Sequence, residues 1–317
     1  MCWIRVRLVL DFVCISTQCG GKLRNHSTMS VWKPYFVLCR IPISFFSAGS
    51  AMTGAILFSY HRSSAILIPA AAVFILTCGA SALNQYQDRE VDGKMERTRL
   101  RPLPLGSLRP FQALFFSLFL VLTGLILSAS GGGVKAFILG FVAFAWYNGV
   151  YTYLKRITAF ASVPGAVVGM IPPAIGWVSA GGNLLDTRLV AVCFIFFLWQ
   201  IPHFWLLLLS YNDEYEQAGL PSISRFLEKA QIARTAFIWI ACASLAIFSL
   251  PLYGVVRSPF IFFSFIPLTV WLIWNERQLM TCNPLFPLSP RFFRTINIYL
   301  FFVMSLLSAD KIFSRIL

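Results

Sequence analysis

Stretches without Asp, Glu, Lys or Arg occupy residues 41–60, 63–87, 110–134, 136–154, 157–185, 189–212, 235–256, 258–275 and 295–309. They are continuous runs of Leu, Ile, Phe, Val and Ala, without the apolar–polar alternation of a membrane β-barrel. A transmembrane helix takes roughly 20 predominantly apolar residues, so the pattern predicts nine membrane-spanning helices. The last run is short, and Phe292 and Phe293 extend it if Arg294 snorkels to the interface. The uncharged stretch 278–290 holds Pro284, Pro287 and Pro290 and reads as a loop, because proline leaves helical backbone groups unpaired. The expected fold class is all-α and polytopic.

Composition supports this reading. Only 12% of the 317 residues are charged, against about 25% in a soluble domain. The net charge of +14 alone would suit a nucleic-acid binder, but a mean hydropathy of +0.73 excludes that class and makes the lipid bilayer the expected partner. With the N-terminus inside, the outer cations are Arg62, Lys135, Arg188, Arg257, Lys311 and Arg315, leaving 20 of the 26 Lys and Arg on the cytoplasmic side. The positive-inside rule favours that orientation, and a bacterial plasma membrane is the expected location. The eight cysteines form no disulfide framework: Cys78, Cys193 and Cys242 lie in apolar runs, and Cys14 and Cys19 have no partners at metal-ligand spacing. Residues 1–33 read as an N-terminal extension, with Met29 an alternative start, and residues 34–317 as one transmembrane domain.

The acids are the more informative charges. Eight of the 12 fall in two loops on the cytoplasmic side: Asp88, Glu90, Asp92 and Glu96, then Asp213, Glu214, Glu216 and Glu228. Charge tolerated merely because loops are wet would be spread over both faces. Asn84, Asp88 and Asp92 recur at every fourth residue, which puts three oxygen-bearing side chains on one helix face. Such a set suits Mg²⁺, which takes one or two carboxylates and completes its shell with water and phosphate oxygens. Zinc would want His or Cys, and neither is present. The nearby Arg89, Lys94, Arg97, Arg99 and Arg101 can neutralise a bound phosphate.

The string from Asn84 to Pro104, with N-x-Y-x-D-R-x-x-D-x-K-M-x-R-T-x-x-R-P-L, resembles the first aspartate-rich motif of the UbiA superfamily of intramembrane prenyltransferases, in the wording of its heme-synthase branch. The likeness runs from about Pro34 to the C-terminus, and the superfamily's nine helices around a central cavity match the nine runs. The resemblance implies that Asn84, Asp88 and Asp92 bind Mg²⁺ and an isoprenoid diphosphate. Tyr151-Thr152-Tyr153-Leu154-Lys155-Arg156 resembles the family's Y-T-x-L-K-R segment, which implies that Tyr151, Lys155 and Arg156 lie beside the diphosphate. Spacing alone places Tyr151 and Lys155 on one helix face. The small residues Gly165, Gly169 and Gly176 serve either close helix packing or a lipid-chain tunnel.

Pro202-His203-Phe204-Trp205 and the following acidic loop complete the resemblance, with two departures from the branch's pattern and one from the superfamily's. Asn212 stands where the branch usually has Lys, and Glu214 where Asp is common; Gln217 replaces the acid of the superfamily's D-x-x-x-D. Asp213 is therefore the expected second-loop catalytic residue and metal ligand, with Glu214 a substrate-binding candidate. His203, inside a predicted span, is either a hydrogen-bonded packing residue or a porphyrin contact. The expected reaction is transfer of a farnesyl group from farnesyl diphosphate to protoheme IX. An aromatic or quinone acceptor is the nearest alternative, and a transporter the alternative from another class.

Overall fold

The computed structural model describes residues 32–59, 63–281 and 291–313, and among these there is no β-strand. The short helix α1 (Lys33–Cys39) ends at Arg40, whose left-handed backbone (φ 45°, ψ 54°) turns the chain into α2 (Ile41–Phe58). Next come α3 (Ser63–Gln87), the single turn α4 (Arg89–Asp92) and α5 (Pro110–Phe144). A π-helical segment, Ala145–Tyr151, and a last turn, Thr152–Leu154, continue α5. The remainder is α6 (Val167–Ser179), α7 (Thr187–Ser210), the short α8 (Asn212–Gln217), α9 (Lys229–Ala246), α10 (Pro259–Glu276) and α11 (Arg291–Phe313). Residues 282–290 of the predicted 278–290 proline loop, Cys14 and Cys19, and the N-terminal extension up to residue 31 lie outside the described residues.

Among the described residues eight segments are long and apolar enough to cross a membrane, one fewer than the nine runs. The difference lies in the third, Pro110–Leu154, which is 45 residues long. At about 1.5 Å per residue a straight helix of that length would exceed the roughly 30 Å hydrocarbon core about twofold. It is not straight. Gly133 takes φ 64°, ψ −159°, a region open essentially to glycine alone, and the chain folds back there. A Cβ on Gly140 would lie 3.3 Å from Leu125 and 3.5 Å from Ser128, which no straight helix allows at that separation. The segment is therefore two crossings, and its hinge is Gly133, two residues before the charge that marked the boundary in the sequence.

The bundle's main core joins α6, α7, α9, α10 and α11 with part of α2, through Trp177, Ile201, Leu206, Phe265 and Val303 among others. Gly176 explains how α6 sits so close to α2: a Cβ there would fall 1.8 Å from the Ala51 carbonyl oxygen. The small residues of this span thus serve helix packing. A second, smaller core of Leu38, Ala82, Leu103, Leu108 and Ala113 pins the 93–109 loop against α1 and α3. Exposed Phe111, Phe115, Ile126, Phe260 and Trp274 on the outside of the bundle are the surface a bilayer would cover. The described cysteines, Cys39, Cys78, Cys193 and Cys242, are free thiols.

Candidate active site

The every-fourth-residue register survives the end of α3. The Asp88 amide donates to the Asn84 carbonyl at 2.9 Å and the Asp92 amide to the Asp88 carbonyl at 2.7 Å. All three side chains are buried, with Asn84 3%, Asp88 5% and Asp92 5% exposed. Buried carboxylates persist only when paired, and both are. Asp88 is held by Lys155 and by Arg156 Nη2 at 2.9 Å, and Asp92 by Arg101 Nη1 at 2.7 Å. Asn84 Nδ2 donates to Asp88 Oδ2 and to Thr152 Oγ1, each at 3.0 Å.

The π-helical segment sets the opposite wall. Widening of the helix turn is commonly found at functional sites, and here it brings Asn148 against α3. The Asn148 amide donates to the Ala80 carbonyl at 3.0 Å and to Gln87 Oε1 at 3.1 Å, while Gln87 Nε2 returns a bond to the Asn148 carbonyl at 3.0 Å. This stitching holds Tyr147 and Tyr151 in a stack, ring centroids 5.9 Å apart, and Tyr151 in turn stacks on Phe204 at 5.4 Å. Lys155 Nζ lies 5.9 Å from the Tyr151 ring, as their spacing predicted.

The cations outnumber the acids they pair with. Burial pushes the Arg101 guanidinium down to about 10, the charges of Arg40 and Arg97 adding to the effect and Asp92 opposing it. Burial also lowers Lys155, against the pull of Asp88. Buried Arg97 Nε has no acceptor among the described residues. Lowered cations beside an orphan N–H are an arrangement that an anionic ligand would favour.

The second acidic loop is placed differently from the first. Glu214 reaches across to accept the backbone N–H of Arg97 at 3.0 Å, and the Arg97 guanidinium lies 4.4 Å over the Tyr211 ring. Asp213 is exposed on the outside of α8, where Lys229 at 3.3 Å lowers its carboxyl, with Asn212 assisting. Buried Asn212 takes no part in the cation cluster; it hydrogen-bonds Ser222 and, at 3.3 Å, Glu216, and so shapes the loop. Arg89 folds back on Tyr86 and Glu90, and Lys94 is exposed, so neither joins the cluster.

His203 lies deeper in the bundle. Its ring is 4.7 Å from that of Trp199 and 4.5 Å from that of Phe293, and its buried Nδ1 has no partner among the described residues. Sequence reasoning missed Tyr147, Asn148 and Gln87 of the opposite wall and, beside the cations, Arg40 and Tyr215. Arg40 was counted only as a topological charge, yet it acts on Arg101 and Lys155. Tyr215, with its phenol raised by burial, faces Arg97 and Arg101. Arg40's place just ahead of the first uncharged run was the one available signal.

The fit to a metal can be judged from the donors. Among the described residues no three His, Cys, Asp or Glu side chains converge. Magnesium does not need three: two carboxylates and an amide oxygen on one helix face, with diphosphate oxygens, make a suitable hard set. Asn84, Asp88 and Asp92 fit that requirement; exposed Asp213 stands apart from them in this conformation.

Comparison with known proteins decides the family. The model of the UbiA prenyltransferase family matches residues 43–297. The chain belongs to the UbiA prenyltransferase family. It is a prenyltransferase, built as a multi-pass membrane protein. It is 37% identical over 257 residues to the protoheme IX farnesyltransferase of Geobacter sulfurreducens, covering 79% of this chain and 94% of that one. It is 34% identical over 275 residues to the protoheme IX farnesyltransferase of Oleidesulfovibrio alaskensis, covering 87% and 95%. Two solved structures share the fold. A UbiA homolog from Archaeoglobus fulgidus bound to GPP and Mg²⁺ has a TM-score of 0.67 at 14% identity, over 88% of this chain and 99% of the other. The apo form of a UbiA homolog from Aeropyrum pernix K1 has a TM-score of 0.66 at 21% identity, over 87% and 99%.

Proposed function

We propose that this prenyltransferase transfers a farnesyl group from farnesyl diphosphate to a vinyl group of protoheme IX, giving heme O. The two relatives named above carry that activity in their names, and the cation cluster around Asp88 and Asp92 is the observation that supports a diphosphate substrate. The site end of the bundle faces the cytoplasm of a bacterial cell, with the N-terminus on the same side, on the charge asymmetry of the loops.

Lys155, Arg156, Arg101, Arg97 and Arg40 bind the diphosphate and hold it as its bond to the farnesyl C1 breaks, with the electron pair leaving on oxygen. Fixed positive charge aimed at a developing anion in a water-poor site is the strongest form of transition-state stabilisation. Mg²⁺ held by Asn84, Asp88 and Asp92 would supply Lewis-acid neutralisation of the same leaving group. The Tyr147, Tyr151 and Phe204 stack walls the allylic cation from water. The terminal vinyl carbon bonds to C1, water adds to the inner carbon and loses a proton, and the product carries a hydroxyethylfarnesyl chain. His203 offers its unpartnered Nδ1 to the porphyrin, as an iron ligand or a polar contact.

Heme extracts from cells with and without the gene, resolved by mass spectrometry, test this. Heme O that appears only with the gene supports the assignment; an unchanged heme profile with an altered prenylquinone profile replaces protoheme by a quinone precursor.

A further inference from the structure

Three of the six cations assigned to the outer side in the sequence, Arg188, Arg257 and Lys311, meet in one cleft at the end of the bundle opposite the active site. The cleft is shallow, with about 10 Å³ of enclosed space, and is lined on its apolar side by Leu57, Val255 and Trp177. Its one carboxylate is already committed: Asp310 accepts the backbone N–H groups of Arg257 at 3.0 Å and Ser258 at 2.8 Å. Arg188 is held in place by Asp186 through Nε at 3.0 Å and Nη2 at 2.5 Å, and lies 5.2 Å over the Trp177 ring.

Two donors there lack acceptors. The indole N–H of Trp177, a residue 1% exposed, has no partner among the described residues, although a buried Trp N–H normally finds one. The exposed Arg257 guanidinium also has none among the described residues; only its backbone is bonded. Unspent donors beside a cationic rim select an oxyanion.

The surroundings select its source. The cleft opens where spanning helices end, and two strongly exposed leucines, Leu185 (85%) and Leu252 (86%), flank it in sequence within three residues of Arg188 and Gly254. A free anion gains nothing from such leucines, whereas a lipid buries its glycerol and upper acyl carbons on them. We propose that this cleft binds the phosphate of an anionic phospholipid from the adjoining leaflet, with Arg257 as its principal contact and Trp177 beneath it.

Native mass spectrometry of the full-length, detergent-solubilised protein with phosphatidylglycerol, phosphatidylcholine or inorganic phosphate tests this. One phosphatidylglycerol should be retained about tenfold more tightly than phosphatidylcholine, whose choline cation would sit among the positive charges of Arg188 and Arg257. Arg257→Gln should erase that preference and Trp177→Phe weaken it, with prenyl transfer by Arg257→Gln unchanged. Equal retention of the two lipids, or an Arg257→Gln protein that keeps the preference, overturns the proposal. So does inorganic phosphate that displaces the bound lipid at millimolar concentration.

Discussion

The Glu214 carboxylate accepts the backbone N–H of Arg97 at 3.0 Å, tying together two loops 117 positions apart in the chain. The contact gives Glu214 a structural task in joining the two acidic loops. It fixes the backbone just ahead of Arg101 and keeps the Arg97 side chain on Tyr211, facing the cation cluster. Removing the acceptor leaves an N–H unpaired and frees the loop that carries both arginines. Glu214→Ala is expected to raise KM for farnesyl diphosphate about fivefold to tenfold, with a smaller change in kcat. Glu214→Gln, which keeps an acceptor oxygen, should recover most of the loss. Steady-state kinetics on the three proteins check this; a fall in kcat alone would instead mark Glu214 as a group acting on the transition state.

Asp88 carries a heavier load, because it compensates Lys155 and Arg156 and is the central member of the Asn84, Asp88, Asp92 face. Asp88→Ala should lower kcat by about a hundredfold or more. Asp88→Asn keeps the shape but removes the charge, so pyrophosphate should still bind and its affinity should lose its dependence on Mg²⁺. Calorimetry with pyrophosphate, with and without Mg²⁺, reads this directly. Full activity of Asp88→Ala with Mg²⁺ and farnesyl diphosphate would sink the metal assignment.

Arg101 predicts a pH dependence of a definite sign. Its guanidinium is held down at about 10 in the free protein, mainly by burial. A bound diphosphate raises it, so binding takes up a proton between the free and the bound value. Affinity for pyrophosphate should be level from about pH 7 to 9. It should then fall above about pH 10, with Lys155, also lowered by burial, adding to the fall as it loses its proton. Arg101→Gln should lessen the fall along with much of the affinity. Titrations in buffers of different ionisation enthalpy count the proton.

The parts of this molecule legible in the sequence are those with short-range causes. The nine charge-free runs follow from the cost of charge in a bilayer, and the Asn84, Asp88, Asp92 face follows from helical geometry. Gly133 was one of three consecutive glycines, and nothing local distinguished it as the fold-back point. The π-helical segment escaped notice because it exists to let Asn148 meet Gln87 and Ala80, partners more than 60 positions away. Tyr215 was invisible for the same reason, and Arg40 showed only its place ahead of the first uncharged run, since their neighbours come from other elements. The place of Asp213 beside Lys229 was equally hard to read, because α8 is a six-residue helix whose facing is set by Asn212, Ser222 and Glu216 rather than by its own pattern.

Gly176 offers the sharpest test of the packing that supports the site. A Cβ at this position would stand 1.8 Å from the Ala51 carbonyl oxygen and 2.9 Å from the Ala55 backbone nitrogen, and backbone cannot swing aside as a side chain would. Gly176→Ala must therefore push α6 off α2, at a cost of about 1–3 kcal/mol for overpacking. Gly49→Ala on α2 is the matched control, because a Cβ there meets nothing within 4 Å and should gain slightly from the loss of glycine's helix penalty. Thermal unfolding in detergent should show Gly176→Ala melting below wild type and Gly49→Ala at or above it. Should the two proteins melt together, the close approach of α2 and α6 is not what holds this half of the bundle.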